Sequence, residues 1–154
     1  SLFNIINPYI IDSNVLDLFA GTGSLGIECL SRGASSAIFV DVSKESINIV
    51  KSNIKKARVE NESTILNLDF KNAIDRLKIQ NKKFDIIFMD PPYYKNMFID
   101  ALSSIDEADL LCDDGIIVVE HDTKDKFVDK IGRLEKTRDK KYGNTTLTFY
   151  KLEE

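Results

Sequence analysis

Residues 84–94 read FDIIFMDPPYY, and the interpretation of the whole chain starts from this stretch. The apolar and aromatic run from Phe84 to Met89 predicts a buried β-strand. The run ends at Asp90 and two prolines, which lack an N–H group and have a fixed φ, so they end the ladder of sheet hydrogen bonds. The stretch therefore predicts a rigid turn that carries one carboxylate and the ring of Tyr93 out of the core. Such a turn suits the binding of a reactive amine.

The composition is that of an ordinary folded domain, with 154 residues, 43% hydrophobic and 30% charged. This length predicts one domain over residues 1–154. No apolar run approaches the ~20 residues that span a bilayer, and no signal segment opens the sequence, so we expect a cytoplasmic protein without membrane contact. With one histidine and two separated cysteines, we expect no metal site.

Strand patterns alternate with helical patterns along most of the sequence. Near-continuous apolar strands of this kind indicate a mostly parallel sheet with helices on both faces. A hairpin near the end is predicted to add an antiparallel strand at one edge, so the predicted fold class is a single Rossmann-like α/β domain. A turn is expected at 113–115, and His121 is interpreted as a turn residue rather than a catalytic base. Strands are predicted at 15–19, 37–41, 64–68, 84–89, 116–120, 133–141 and 145–151.

A glycine-rich segment, Gly21-x-Gly23-x-x-Gly26, follows the first predicted strand and matches the dinucleotide-binding fingerprint, with Asp41 closing the next strand. A nicotinamide or flavin binder must therefore be considered. Asp17, inside the first strand, would oppose a pyrophosphate but suits a cationic ligand. No pair of residues later in the chain resembles hydride-transfer machinery.

S-adenosylmethionine fits these residues better, because it has no phosphates but carries a sulfonium, an amino-acid tail and two ribose hydroxyls. Asp17 suits the positive tail, and Asp41 suits the ribose hydroxyls. Asp69 and Phe70 follow the third strand and are expected to contact the adenine. Alternatively, Asp69 is only the N-cap of a helix, and the glycines form only an ordinary turn. The predicted cofactor-binding residues are Asp17, Phe19, Ala20, Gly21, Thr22, Gly23, Asp41, Val42, Asp69 and Phe70.

Residues 16–26 (LDLFAGTGSLG) and 90–93 (DPPY) together resemble the motifs of S-adenosylmethionine-dependent N-methyltransferases. More narrowly, the chain is similar, essentially end to end, to the bacterial 16S ribosomal RNA guanine-N2 methyltransferases. This resemblance implies a Rossmann-like methyltransferase fold, S-adenosylmethionine as cofactor without a metal, and a monomer that acts on ribosomal RNA within a small-subunit particle. That family carries an extra basic N-terminal segment implicated in gripping RNA, so we expect a truncated N-terminus and weak independent RNA binding.

The resemblance assigns the chemistry to Asp90, Pro91, Pro92 and Tyr93. An exocyclic aromatic amine is a poor nucleophile because its lone pair is delocalised into the ring. Asp90 and the Pro91 carbonyl are expected to accept its N–H hydrogen bonds, while Tyr93 stacks on a base that has left its own stack. Two alternatives remain open: a methyltransferase for adenine N6 or a protein glutamine amide, and a dinucleotide- or S-adenosylmethionine-binding module without catalysis.

The charge is unevenly distributed along the chain. Residues 124–141 contain eight Lys or Arg and four Asp or Glu, whereas the whole chain has a net charge of −4. A basic segment on an acidic body is either a contact for phosphates or a solvated face. We expect Lys140 and Lys141 to contact RNA.

Overall fold

The computed structural model describes residues 1–91, 97–125 and 127–154, in which buried apolar strands alternate with amphipathic helices. The strands are β1 (Asn14–Asp17), β2 (Ser36–Val40), β3 (Ser63–Leu66), β4 (Phe84–Met89), β5 (Leu111–Asp122), β6 (Lys130–Ile131), β7 (Leu134–Tyr142) and β8 (Thr145–Leu152). The helices are α1 (Leu2–Ile6), α2 (Ser24–Ser31), α3 (Lys44–Ala57), α4 (Phe70–Ile79) and α5 (Met97–Glu107), with 3-10 turns at Asn7–Tyr9 and Glu60–Glu62.

These strands form one eight-stranded sheet in the order β3-β2-β1-β4-β5-β8-β7-β6. The five strands from β3 to β5 are parallel, and β8 runs antiparallel to both of its neighbours. This confirms the predicted fold class, a mostly parallel α/β sheet with a C-terminal antiparallel hairpin. The strand order changes direction between β1 and β4. The carboxyl ends of these two strands therefore border the crevice in which open α/β sheets bind ligands.

Helices cover both faces of the sheet, because the strands carry apolar side chains on both. One face, which we call the α4–α5 face, packs Ile87 against helices α4 and α5. The other, the α1–α3 face, packs Ile86, Phe88 and Val118 against helices α1, α2 and α3. Since successive residues of a strand point to opposite faces, the positions that follow Phe88 and Val118 by two also lie on the α1–α3 side.

The hairpin joins the parallel sheet at one edge, beside β5, as predicted, but it adds more than one antiparallel strand there. Strand β8 lies inside the sheet between β5 and β7, and the two-residue strand β6 forms the edge. Residues 146–150 are all buried, because β8 sends Phe149 into one core and Tyr150 into the other. The periodicity of β8 indicated a strand but not how many neighbours it has.

The fifth strand is longer than predicted, since it begins at Leu111 and includes the expected turn at 113–115. Phe84 pairs with Leu111 and Ile86 with Ile116, so five residues of β5 advance along the sheet as far as two residues of β4. The segment is therefore a bulge rather than a turn. Its Asp-Asp-Gly sequence suits either structure, which explains the error.

The interpretation of His121 as a turn residue is also wrong, because His121 lies within β5. Its Nε2 atom is 2.6 Å from Thr148 Oγ1, and its Nδ1 atom is 2.8 Å from the carbonyl oxygen of Asp122. Thr148 donates a hydrogen bond of 2.7 Å to Asp139 Oδ1, and the His121 ring packs against Phe127. These contacts tie β5 to the hairpin and give His121 a structural role.

Helix α3 begins with a side-chain cap. Ser43 is its N-cap, with its Oγ accepting a hydrogen bond of 3.2 Å from the Ser46 N–H. Helix α2 ends at its C-cap Arg32, one residue before Gly33, which has a φ of +111°. Within the parts of the chain that the structure describes, none of the helices combines the length and the apolar character that a membrane crossing requires.

Candidate active site

A cavity of about 650 Å³ opens where β1, β2, β3 and β4 end, a volume typical of small-molecule sites. Each of these strands passes into its following loop or helix at the cavity wall, so side chains far apart in sequence converge there. Helix α5 contributes one further residue. The described lining residues are Leu18, Phe19, Gly21, Val40, Asp41, Val42, Ser43, Leu68, Asp69, Phe70, Asp90, Pro91 and Met97.

Asp41 holds the glycine loop in place from the end of β2. Its Oδ2 accepts a hydrogen bond of 2.9 Å from the Gly21 N–H, and its Oδ1 accepts one of 2.9 Å from the Ser43 N–H. Gly21 has a φ of +59°, a left-handed conformation that glycine adopts without strain. Each carboxylate oxygen retains a second lone pair, so Asp41 can still accept hydrogen bonds from hydroxyl groups in the cavity.

Asp17 lies beneath the glycine loop rather than on the cavity wall. It is 3% exposed, and its Oδ2 accepts a hydrogen bond of 3.3 Å from the Gly26 N–H. Burial raises the pKa of Asp17 to about 7, with a smaller contribution from the charges of Asp90 and Asp41, while the Gly26 hydrogen bond opposes the rise. A positive charge above the loop would stabilise the ionised form of Asp17.

Asp69 is the N-cap of α4, as the alternative interpretation of this residue predicted. Its Oδ1 accepts a hydrogen bond of 2.8 Å from the Asn72 N–H, and its Oδ2 accepts one of 3.1 Å from Asn72 Nδ2. Capping does not remove Asp69 from the cavity wall, which it shares with Phe70. The ring centroids of Phe70 and Phe19 lie 5.7 Å apart, so an aromatic pair forms part of the apolar wall.

Asp90 comes directly after β4 and lines the cavity together with Pro91. Met89 pairs with Val119, so the next residues, Asp90 and Glu120, are neighbours at the carboxyl ends of β4 and β5. Partial burial of the carboxyl, and then the charge and hydrogen bonding of Glu120, raise the pKa of Asp90 to about 6. The sequence interpretation missed Glu120, although this acid ends an apolar run just as Asp41 and Asp90 do.

The structure brings most of the predicted site residues to one cavity but leaves some beside it. Asp17, Ala20, Thr22 and Gly23 are not on its wall. They belong instead to the strand and loop beneath, where Ala20 donates a hydrogen bond to Val40 and accepts one from Gly23. Pro92 and Tyr93 lie outside the described residues. The cavity residues that the sequence interpretation missed are Leu18, Val40, Ser43, Leu68 and Met97, most of them apolar neighbours of predicted residues.

The chemistry of the wall disfavours a pyrophosphate. Three described lining residues, Asp41, Asp69 and Asp90, carry carboxyl groups, and none of the described lining residues is basic. The Gly26 N–H, near the start of α2, already donates to Asp17 instead of being free for a phosphate. The remaining wall is mostly apolar. In the described residues no group of three or more His, Cys, Asp or Glu is placed to hold a metal ion.

This fold is shared with solved structures that are described as methyltransferases or methylases, among them the methylase HI0767 of Haemophilus influenzae, with a TM-score of 0.83 at 33% identity over 99% of this chain and 94% of that chain. A solved structure from Escherichia coli, provisionally described as the methyltransferase yhhF, shares the fold with a TM-score of 0.87. The match covers 99% of this chain and 84% of that chain, at 24% sequence identity.

The chain belongs to the family described as conserved hypothetical protein 95, which it matches over residues 1–151. It is 40% identical over 151 residues to YlbH of Bacillus subtilis, provisionally named an rRNA methyltransferase, covering 98% of this chain and 82% of that protein. It is 39% identical over 129 residues to ribosomal RNA small subunit methyltransferase D of Haemophilus influenzae, covering 82% of this chain and 65% of that protein.

Proposed function

We propose that this protein is an S-adenosylmethionine-dependent methyltransferase that modifies the exocyclic N2 amine of a guanine in small-subunit ribosomal RNA. The observation that carries the proposal is the position of the Asp90-Pro91 turn, which opens into the same cavity as Gly21, Asp41 and Asp69. The relatives named as rRNA methyltransferases support RNA as the substrate. The choice of guanine N2 rests on the resemblance in sequence.

The cavity suits S-adenosylmethionine, which, when bound, supplies an electrophilic methyl group on a sulfonium sulfur. Asp41 has lone pairs left for the ribose hydroxyls, and Phe70 and the 72% exposed Val42 offer apolar surface to the adenine. Asp17 acts from below the glycine loop, because its negative charge favours a cationic tail above it. The acidic and apolar wall favours a cationic nucleoside over a nucleotide.

Asp90 and Pro91 make the target amine nucleophilic. The Asp90 carboxylate accepts a hydrogen bond from one N–H of the amine, and the Pro91 carbonyl accepts one from the other. Two acceptors placed in this way favour a pyramidal nitrogen, whose lone pair is no longer delocalised into the ring. Most of the rate then comes from positioning and electrostatics, because no covalent bond to the protein is needed.

Asp90 also suits the proton that the reaction releases. A methylated amine carries a positive charge until it loses one proton, and the carboxylate that accepts its N–H hydrogen bond is the nearest base. A pKa of about 6 lets Asp90 hold that proton and pass it to water near neutral pH. The amine then returns to its neutral, methylated form.

Replacing Asp90 with alanine tests the assignment. We expect Asp90→Ala to lower the methylation rate at least about 100-fold, because the amine loses both its acceptor and its base. The affinity for S-adenosylmethionine, measured by isothermal titration, stays within a few fold. Asp113→Ala is the matched control, since Asp113 is exposed in the bulge of β5. An active Asp90→Ala variant, or one that no longer binds the cofactor, would contradict this role.

Two further measurements separate the competing functions. Titration with S-adenosylmethionine and with NAD distinguishes the cofactors, and binding of NAD alone would exclude a methyltransferase. Mass mapping of ribosomal RNA from a strain that lacks the protein identifies the base. Loss of one N2-methylguanosine supports the proposed target, whereas an unchanged N2-methylguanosine content rules it out.

A further inference from the structure

We infer that Glu120 is a specificity residue of the site, which accepts a hydrogen bond from the N1–H of guanine while Asp90 accepts from its N2 amine. This inference rests on the proposed function and adds a residue that selects the base. The feature that carries it is the proximity of two carboxyl groups at the carboxyl edge of the sheet: Asp90 follows β4 directly and lines the cavity, and Glu120 lies in the neighbouring strand β5.

Register and pleat place the two side chains together. Met89, the last residue of β4, pairs with Val119 in the parallel ladder, and Asp90 and Glu120 directly follow this pair, where the two strands lie about 4.8 Å apart. Ile86, Phe88 and Val118 belong to the core on the α1–α3 face, and by alternation Asp90 and Glu120 point to that same side. The charge and hydrogen bonding of Glu120 contribute to the raised pKa of Asp90, as expected for neighbouring carboxyl groups.

Two neighbouring carboxylates repel each other, because each has hydrogen-bond acceptors but no donor. Asp90 lines the cavity and both side chains are exposed, so a base that reaches Asp90 can also reach Glu120. A ligand that offers two adjacent donors can satisfy both groups. Each carboxylate then accepts one hydrogen bond from the ligand, and the repulsion between them is screened by the donors.

Guanine has this pattern of donors and adenine does not. The N2 amine of guanine lies beside N1–H, a second donor on the Watson–Crick edge. The N6 amine of adenine lies beside N1, which is an acceptor. Asp90 alone accepts from either amine, but Glu120 would face an unprotonated acceptor if adenine entered. A site built to accept a hydrogen bond strongly rejects a ligand that lacks the donor.

The clearest probe keeps the amine and changes its neighbour. The base 2-aminopurine carries the same C2 amine as guanine, but its N1 is an acceptor and it lacks the O6 of guanine. Methylation is measured on two fragments of small-subunit ribosomal RNA, one with guanine and one with 2-aminopurine at the mapped target position. For the wild-type protein we expect a kcat/KM for guanine that exceeds the value for 2-aminopurine by about 100-fold or more.

Replacing Glu120 with glutamine changes this preference, because a glutamine amide can donate to the N1 acceptor of 2-aminopurine. We expect Glu120→Gln to lower the guanine to 2-aminopurine ratio about 10-fold to 100-fold, with cofactor affinity and melting temperature unchanged. Glu135→Gln, at an exposed carboxylate of β7, serves as the matched control. A purely structural role of Glu120 would lower both rates together and leave the ratio unchanged.

Each outcome has a separate meaning. If Glu120→Gln keeps the wild-type ratio while methylating guanine, the inference about Glu120 is wrong and the proposed function stands. If the wild-type protein methylates neither RNA fragment, and assembled small-subunit particles from the deletion strain are not methylated either, the proposed function itself fails.

Discussion

At the scale of single residues, Asp17 is a carboxyl group that folding removes from water. Its pKa rises from 3.8 to about 7, mainly because of burial. Between these two values the folded protein keeps a proton that the unfolded chain has released. The stability associated with protonated Asp17 is therefore fully present below about pH 3.8 and is lost as the pH rises through about 7.

We expect this loss to disappear in Asp17→Asn, whose amide is similar in shape and stays neutral. Between pH 5 and 7 the wild-type protein should lose about 2 kcal/mol of unfolding free energy relative to the variant, since a unit of pH corresponds to about 1.4 kcal/mol and the loss per unit becomes smaller as the pH approaches 7. Urea denaturation of both proteins across this range measures the difference. A difference that does not vary with pH would show that Asp17 is ionised throughout.

The residues of the site were predictable to different degrees. Asp41, Asp69 and Asp90 end or follow apolar strands, and the position alone indicates that parallel strands bring them to one edge. The pairing of Asp90 with Glu120 was not predictable, because it depends on which strand lies beside β4 and on a bulge that shifts the register of β5.

At the scale of elements, helix α2 approaches the sheet at a position where only glycine fits. A Cβ atom on Gly26 would lie 2.5 Å from Phe39 Cε1 and 2.9 Å from Phe39 Cζ. Phe39 is fully buried in β2, so its ring has no room to move away. The third glycine of the loop therefore sets how closely α2 packs on the sheet, which in turn fixes the Gly26 N–H against Asp17.

We expect Gly26→Ala to destabilise the protein by about 1 to 3 kcal/mol, the usual cost of forcing an extra methyl group into a packed core. Chemical denaturation provides the measurement, and Ser24→Ala, at an exposed position of the same helix, is the control. Adding Phe39→Leu to Gly26→Ala should recover part of the loss, because leucine vacates the position of Cζ. A Gly26→Ala protein as stable as the wild type would mean that α2 can shift without cost.

The periodicity of the sequence predicts that a strand or helix exists better than it predicts where that element begins and ends. A run such as Phe84–Met89 is buried on both faces and leaves no other interpretation than a central strand. The bulge of β5 and the two-residue strand β6 are set by tertiary pairing, which short polar sequences do not encode. Strand β8 was predicted as a strand, but its central place depends on contacts with β5.

At the scale of the whole molecule, some basic residues of the segment 124–141 form ion pairs, whereas others carry charges that a phosphate could contact. Lys130 pairs with Glu153, and Arg133 pairs with Asp109. Among the residues described in the structure, the exposed Arg138, Lys140 and Lys141 of β7 have no ion pair. This division was not predictable, since the partners of the paired residues lie far away along the chain.

The sheet register links Lys140 to the site. Glu120 pairs with Leu147, and Leu147 pairs with Lys140, so one row across the sheet runs from Glu120, the neighbour of Asp90, to Lys140 at the carboxyl edge. Residues in one row point to the same side, which places Lys140 on the side of Asp90 and Lys141 on the opposite side.

We expect charge reversal at Lys140 and Lys141 to weaken RNA binding, with Lys140→Glu producing the larger loss. Each lost phosphate contact should also reduce the slope of log affinity against log salt by about 0.7 to 0.9. Fluorescence anisotropy with a ribosomal RNA fragment at several salt concentrations measures both effects. Lys130→Glu, at an ion-paired position, is the matched control. If the affinity of the Lys140 and Lys141 variants for RNA at low salt is unchanged, these lysines belong to a solvated face that does not contact RNA.

The place of β8 has a consequence for how the protein is made. Strand β8 follows every other strand in the sequence, yet it hydrogen-bonds to β5 on one side and to β7 on the other. While the nascent chain emerges, β1 to β5 can pair, but one edge of β5 presents bare N–H and C=O groups to its surroundings. That edge is closed only after residues 145–152 have left the exit tunnel. Translation must therefore run through β8 before this edge of β5 is protected from pairing with another polypeptide.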